Sequence, residues 1–124
     1  MLFRSRAKPG PGETVIVAKE DGHVIGVVRL VKERTFWVLR GMQVASHRRN
    51  RGVGASLLKD CVPHFENEQS FCLPYTHLEA FYSTVGFRVA EEHAIPILLQ
   101  ERLKEYRACG QSVLVMVRPA AQLA

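Results

Sequence analysis

The spacing of hydrophobic and polar positions predicts three strands in the first part of the chain. Residues 14–19 and 23–32 are rich in Val and Ile, and the Asp21-Gly22 pair between them is typical of a tight hairpin turn. Residues 35–45 form a third run of this kind, in which Gly41 indicates a bulge or a close backbone approach. The predicted fold therefore opens with a meander of three antiparallel strands.

At Val53 the apolar residues change to helical spacing, which predicts a helix that Pro63 ends or kinks because proline lacks the amide donor. The rest of the chain alternates between short apolar runs and helical patterns. The predicted strands are 70–73, 87–90 and 112–118, and the predicted helices are about 75–84 and 97–107. The resulting order, βββ-α-β-α-β-α-β, indicates an α/β or α+β domain.

The chain has 124 residues, of which 47% are hydrophobic and 23% charged, as expected for one globular domain. Residues 8–12 are too rich in Pro and Gly for regular structure, so we predict a flexible arm over residues 1–12 and one domain over 13–124.

Some classes of protein and site are disfavoured by the sequence. No apolar run approaches the roughly 20 residues that span a bilayer, and the amino-terminal residues have no apolar stretch for secretion, so we expect a cytoplasmic protein. Cys61, Cys72 and Cys109 are an odd number of widely spaced cysteines without a C-x-x-C pair. Neither a disulfide framework nor a metal site is therefore expected.

A net charge of +5 favours an anionic partner, and the charge is concentrated in the segment from His47 to Arg51. Gly52 and Gly54 follow it at the predicted start of a helix, where free amides and the helix dipole attract anions. From the glycines alone, a phosphate site and a merely tight connection are equally good interpretations. The P-loop pattern is absent, and the dinucleotide pattern fails because Leu57 stands where it needs glycine.

Two motifs resemble those of the GNAT superfamily of N-acetyltransferases. Arg49-Asn50-Arg51-Gly52-Val53-Gly54 is similar to the family's [QR]-x-x-G-x-[GA] loop, and residues 80–87 (AFYSTVGF) are similar to its later F-Y-x-x-x-G-F motif. Residues 39–44 resemble its fourth strand, and the resemblance covers about residues 14–118. It implies a mixed, mostly antiparallel central sheet flanked by helices, and an enzyme that uses acetyl-CoA as cosubstrate.

The resemblance also implies roles for particular residues. The pantetheine arm of acetyl-CoA would lie along Met42, Gln43 and Val44, and a backbone amide near Met42 would polarise the thioester carbonyl. Tyr82 would protonate the departing thiolate as general acid. Without the resemblance, Tyr82 reads as a core aromatic beside Phe81 and Phe87. The pyrophosphate would bind the phosphate loop, which consists of Arg49, Asn50, Arg51, Gly52, Val53, Gly54 and Ala55.

The chain departs from the family pattern at two places. Many relatives have a glutamate on the fourth strand as general base, whereas the nearby residue here is Arg40, which stays protonated. His77 is then a candidate base, and water or a backbone carbonyl are alternatives. The short segment before the first hairpin implies an open acceptor site, which a homodimer could complete.

Three functional hypotheses follow. The first is an N-acetyltransferase acting on a primary amine of a small molecule or peptide, and the second is a non-catalytic acyl-CoA-binding or regulatory module. The third, a basic nucleic-acid-binding domain, ranks lowest because aromatic residues do not interleave with the arginines. Four acidic residues that could flank a cationic substrate are Glu66, Glu68, Glu91 and Glu92, although exposed glutamates are usually only solvated.

Overall fold

The computed structural model describes residues 3–6 and 12–120. Within them, seven strands form one sheet in the order β1-β2-β3-β4-β5-β7-β6, in which β4 and β5 are parallel and all other neighbours are antiparallel. The strands are β1 (Phe3–Arg6), β2 (Glu13–Glu20), β3 (His23–Glu33), β4 (Phe36–Val44), β5 (Ser70–Cys72), β6 (Arg88–Val89) and β7 (Met116–Arg118). The helices are α1 (Val53–Cys61), α2 (Glu79–Ser83) and α3 (Ile97–Ala108). The predicted mixed, mostly antiparallel sheet with flanking helices is confirmed.

Side chains alternate along β4, so its buried residues belong to two different cores, one that includes residues of α1 and one that includes residues of α3. Trp37 and Leu39 belong to the apolar core that includes Leu57 and Leu58 of α1. Their neighbours on β4 belong to a second core, which comprises Phe36, Val38, Phe71, Ile95, Leu99, Leu103, Val113 and Val115. β4 is therefore buried on both faces along its first half.

The predicted hairpin and bulge are both confirmed. Asp21 and Gly22 turn the chain between β2 and β3 with φ values of 50° and 79°. In the β3–β4 pair, Val27 opposes Gln43 and Arg29 opposes Arg40, so Gly41 and Met42 together face one residue of β3. Gly41 has φ of 66°, the left-handed conformation that glycine adopts without steric cost.

Beyond the bulge, β4 loses its parallel neighbour. β4 and β5 pair from Trp37 to Leu39 on one strand and from Ser70 to Cys72 on the other. After Cys72 the chain leaves β4, and Tyr75 forms an isolated bridge with Val113 instead. The sheet therefore opens between the second half of β4 and the segment that follows β5.

The amino-terminal prediction was wrong in one respect. Phe3–Arg6 is a strand, which pairs with residues 16–19 of β2, although we expected no regular structure in residues 1–12. The backbone pairing to an edge strand outweighs the local lack of a strong strand pattern. Residues 7–11, which include most of the Pro- and Gly-rich stretch, lie outside the described residues.

Several boundaries also differ from the predicted ones. The helix expected over residues 75–84 is a 3₁₀ turn at Thr76–Leu78 followed by α2. The strand expected over 112–118 begins only at Met116, because residues 112–114 bond to the irregular segment 74–76. Pro63 acts as predicted, since α1 ends at Cys61 and the chain continues as a 3₁₀ turn, Val62–Phe65.

Candidate active site

The start of α1 presents free backbone donors. Gly52 caps the helix with φ of 82° and, as a glycine, supplies no side-chain capping hydrogen bond. Within the described residues, the amides of Val53, Gly54 and Ala55 have no backbone acceptor, and the first such bond runs from the Ser56 amide to the Gly52 carbonyl at 3.0 Å. Unpaired amides and the positive end of the helix dipole together favour a bound anion.

The arginines before this helix differ in whether their side chains are already paired with an acidic residue. Arg48 forms an ion pair with Glu20, which holds the pKa of that carboxyl below its usual range. Arg49 donates through Nε to the Val44 carbonyl at 3.2 Å, and neither Arg49 nor Arg51 is ion-paired within the described residues. The positive charge available to a ligand therefore comes from Arg49 and Arg51.

A cleft of about 1050 Å³ extends from this loop to the opening in the sheet. Its walls are the ends of β3 and β4, the start of α1, and the segment 75–82. The predicted site residues that line it are Met42, Gln43, Val44, Arg49, Asn50, Gly52, Val53, Gly54, Ala55, His77 and Tyr82. Arg51 lines an adjoining cavity of about 360 Å³ together with Glu20.

Gly54 lies in the wall of the cleft, close to Phe81 and Val44. A Cβ at this position would lie 3.4 Å from Phe81 Cζ and 3.6 Å from Val44 Cγ2. A longer side chain would therefore project into the space between the loop and α2. This observation explains the glycine more directly than turn geometry does.

A second cavity, of about 480 Å³, lies where α3 approaches β4. It shares five lining residues with the first cleft, namely Met42, Gln43, Tyr75, Leu78 and Tyr82. The two cavities therefore meet at the opening beyond the β4 bulge. A group held in one can reach a group held in the other at this junction.

Tyr82 lies at the junction and is 5% exposed. Its ring packs edge-on against Phe81 and Phe87, with centroid distances of 5.0 Å and 6.2 Å, and its hydroxyl has no hydrogen-bond partner in the described residues. Burial, followed by the nearby Cys72 and Cys61 thiols, raises the pKa of Tyr82 well above its usual value. The phenol therefore keeps its proton at neutral pH, as a proton donor must.

His77 lines the first cleft, and its side chain is exposed. Its ring stacks on Tyr75 with centroids 5.9 Å apart and an interplanar angle of 9°. It is absent from the lining of the second cavity, which also contains no Asp or Glu. Cys72 lines that cavity, but burial raises its pKa, so it stays a neutral thiol.

Sequence analysis missed several residues of the second cavity. Arg102, Tyr106 and Gln111 come from α3 and the turn after it, far from the motifs in sequence, and no local pattern marks them. Gly26 was also missed, although an isolated glycine within a strand pattern is a usable signal for close backbone approach. The four glutamates considered for a cationic substrate, Glu66, Glu68, Glu91 and Glu92, line neither cavity.

Across residues 3–6 and 12–120, no group of three or more His, Cys, Asp or Glu side chains could hold a metal ion. In the same residues, no helix combines the length and apolar character needed to cross a membrane.

One family profile matches more than half of the chain. The profile of the acetyltransferase (GNAT) domain matches residues 11–89. No curated protein matches the sequence significantly.

Solved structures share the fold at low sequence identity. The N-acetylglutamate synthase from Neisseria gonorrhoeae, complexed with coenzyme A and N-acetyl-glutamate, is 20% identical with a TM-score of 0.69, and the match covers 87% of this chain but 26% of that one. A GNAT family acetyltransferase from Elizabethkingia anophelis with acetyl-CoA bound is 15% identical with a TM-score of 0.68, covering 88% and 77%. A GNAT family acetyltransferase from Staphylococcus aureus Mu50 is 17% identical with a TM-score of 0.67, covering 89% and 69%.

Proposed function

Because the chain belongs to the GNAT family of acetyltransferases, we propose that it transfers an acetyl group from acetyl-CoA to a primary amine by direct attack. The observation that carries this proposal is the junction at Tyr82, where the two cavities meet beside the free part of β4. Acetyl-CoA occupies the larger cleft, and the amine enters from the smaller cavity.

The larger cleft offers hydrogen-bonding groups to both the pyrophosphate and the pantetheine arm of acetyl-CoA. The pyrophosphate accepts hydrogen bonds from the amides of Val53, Gly54 and Ala55, with Arg49 and Arg51 as charged support. The pantetheine arm bonds to the edge of β4 beyond Leu39, where β5 no longer pairs. In keeping with this, two structures that share the fold contain coenzyme A or acetyl-CoA.

The chemistry requires one bond to form and one to break. The amine nitrogen attacks the thioester carbonyl carbon, and the C–S bond breaks as the tetrahedral intermediate collapses. A backbone amide near Met42 stabilises the oxyanion, and Tyr82 donates its proton to the departing thiolate. The amine loses one proton to a base and Tyr82 regains one through solvent, so the net products are the N-acetylated amine and CoA.

His77 is the proposed acceptor of the amine's proton. It lines the same cleft as Tyr82 and stacks on Tyr75, which borders both cavities. A water molecule between His77 and the amine would complete the path, because His77 does not line the cavity from which the amine enters. Cytoplasmic location and a homodimer stay predictions.

A non-catalytic acyl-CoA-binding module is the second candidate. The observation in its favour is that the lining of the smaller cavity contains no Asp, Glu or His to act as base. A domain of this kind would bind acetyl-CoA without turnover. The two candidates therefore differ in a single measurable step.

The first test is calorimetric titration of acetyl-CoA into the wild type and Gly54→Glu. The glutamate adds bulk against Phe81 and a negative charge beside the phosphate loop, so we expect binding by the wild type and none by the variant. Ala94→Glu is a matched control, because it adds the same charge at an exposed 3₁₀ turn outside the cleft. Absence of binding in the wild type would contradict both candidates.

An amine screen then separates enzyme from binding module. CoA release that depends on an added amine, and that falls in Tyr82→Phe, supports the enzyme. Tight binding of acetyl-CoA with no acceptor-dependent release across small amines and peptides supports the module.

A further inference from the structure

Two arginines face each other across neighbouring strands beside the junction. Arg29 on β3 and Arg40 on β4 are directly opposed in the antiparallel register, and both side chains are exposed. Like charges in this relation repel and destabilise a sheet. An anion between the two side chains would reduce this repulsion, as the Glu13 carboxylate already does from the side of Arg29.

A third arginine closes the same cavity from α3. Arg102 lines it together with Arg29 and Arg40, and no acidic residue is present in the lining. The three arginines differ in whether an acidic side chain neutralises their positive charge. Arg29 forms an ion pair with Glu13, and Arg102 forms one with Glu33 at 3.3 Å. Neither glutamate lines the cavity.

Arg40 has no such partner. Within the described residues it forms no ion pair and no side-chain hydrogen bond. It immediately precedes the bulge residues Gly41 and Met42, and thus the junction where acyl transfer is proposed. One uncompensated positive charge therefore stands next to the reaction centre.

The size and remaining lining of the cavity favour a small acceptor. Its volume of about 480 Å³ lies within the range of small-molecule pockets. Tyr75, Tyr106 and Gln111 supply neutral polar groups, and Gln111 Nε2 donates to the Tyr75 hydroxyl at 3.4 Å. The lining contains no carboxylate that could pair with a second positive charge on the substrate.

We propose that the acceptor is a small amine that also carries a carboxylate, which binds Arg40 beside Arg29. A guanidinium holds a carboxylate through two parallel hydrogen bonds, so Arg40 fixes the molecule's orientation as well as its charge. The amine then points past Met42 to the thioester. This inference rests on the proposed function and adds the class of its substrate.

The test compares L-amino acids with their own carboxamides as acceptors. Leucine, phenylalanine, methionine and glutamine, each with its amide, give pairs that share a side chain and differ at the carboxyl group. The amine is less basic in the amides, so kcat/KM is compared at equal concentrations of the free amine. We expect the wild type to prefer the acids by roughly 10- to 100-fold in kcat/KM, since a charge-assisted hydrogen bond is lost in the amides. Equal use of acids and amides, or a preference for the amides, would overturn the proposal.

Arg40→Gln shows whether this residue is responsible. Its KM for the acids should rise by roughly 10- to 100-fold while its KM for acetyl-CoA stays at the wild-type value, and Arg40→Lys should retain part of the preference. Arg88→Gln is the control, because Arg88 is exposed on β6, lines neither cavity and changes the net charge equally. An unchanged acid preference in Arg40→Gln would also overturn the proposal.

Binding measurements separate this inference from the proposed function. Acetyl-CoA titration tests the cofactor cleft alone. Ligand-observed NMR with CoA present tests whether an acid binds better than its amide, and whether Arg40→Gln removes the difference. If acetyl-CoA binds but none of the acids binds or reacts, the substrate class is wrong while the cofactor site stands.

Discussion

Gly26 of β3 lies directly beneath Leu57 of α1. A Cβ added to Gly26 would stand 2.9 Å from Leu57 Cδ1 and 3.0 Å from Val53 Cγ1. Contacts this short hardly ever occur between a real Cβ and its neighbours, so the buried side chains of Leu57 and Val53 would have to shift, by rotating or by moving with the helix. The absence of a side chain at Gly26 therefore lets α1, with its free amides, pack close to the sheet.

Gly26→Ala should lower the free energy of unfolding by about 1–3 kcal/mol, the range for overpacking a core. If the helix moves, acetyl-CoA binding should also weaken. Urea unfolding and calorimetry measure the two effects. Leu57→Ala removes the nearer of the two close atoms, so Gly26→Ala should cost less in that background, and additive costs in the double-mutant cycle would contradict the argument.

Tyr82→Phe should lower kcat by about 10²-fold, in the lower part of the range for general acid catalysis, with an unchanged KM for acetyl-CoA. The reason is that the hydroxyl has no partner within the described protein, so its loss affects proton transfer more than packing. Tyr106→Phe removes a phenol from the acceptor cavity alone, so its effect should appear in the KM for the amine while kcat stays at the wild-type value. A kcat for Tyr82→Phe within twofold of wild type would remove Tyr82 as the acid.

Local patterns were sufficient for the parts of the site that are continuous in sequence. The turn at Asp21-Gly22, the bulge at Gly41 and the start of α1 each follow from glycine placement and a change of period. The phosphate loop is one continuous segment, so its residues could be named from sequence. Whether each of them binds the cofactor stays a prediction that the titrations above test.

The acceptor side could not be predicted in this way. Arg40 and Arg102 are brought together by the packing of α3 on β4, which no local pattern encodes. β1 was missed for a related reason, because its backbone pairs with β2 across the Pro- and Gly-rich stretch. The acceptor cavity and β1 both depend on contacts between residues that are far apart in the sequence, and local propensity does not encode such contacts.

Glu20→Gln should tighten acetyl-CoA binding by about two- to fivefold at low ionic strength. Glu20 neutralises Arg48, which lines the cofactor cleft, and its removal leaves that guanidinium free for the phosphates. The gain should disappear in about 0.5 M salt because exposed charges are screened. Glu68→Gln breaks a comparable pair with Lys32, outside the lining of the cleft, and should leave binding unchanged.

The protein should lose stability as pH rises above about 9. Burial raises the pKa of Cys61 from 9.0 to about 12 and shifts the pKa of Cys72 in the same direction. Between pH 9 and 12 the unfolded chain therefore releases protons that the folded state retains, so alkali favours unfolding. The slope is roughly 1.4 kcal/mol per pH unit for each thiol.

Urea unfolding from pH 7.5 to 10.5 measures this slope. Cys61→Ala removes one of the buried thiols and should reduce the decline with pH, even though the small cavity it leaves lowers stability at every pH. The comparison is made in reductant, so that oxidation does not contribute. A stability that is constant up to pH 10.5 would show that these thiols ionise equally in both states.

His77→Gln should lower kcat/KM most at neutral pH, where an amine acceptor is largely protonated and needs a base. The loss should shrink as pH rises towards the amine's own pKa, because the free amine then no longer requires His77. A variant that loses only the stacking on Tyr75 would show the same fractional loss at every pH. A constant ratio of wild-type to variant kcat/KM would therefore assign His77 to positioning Tyr75, and leave deprotonation of the amine to solvent.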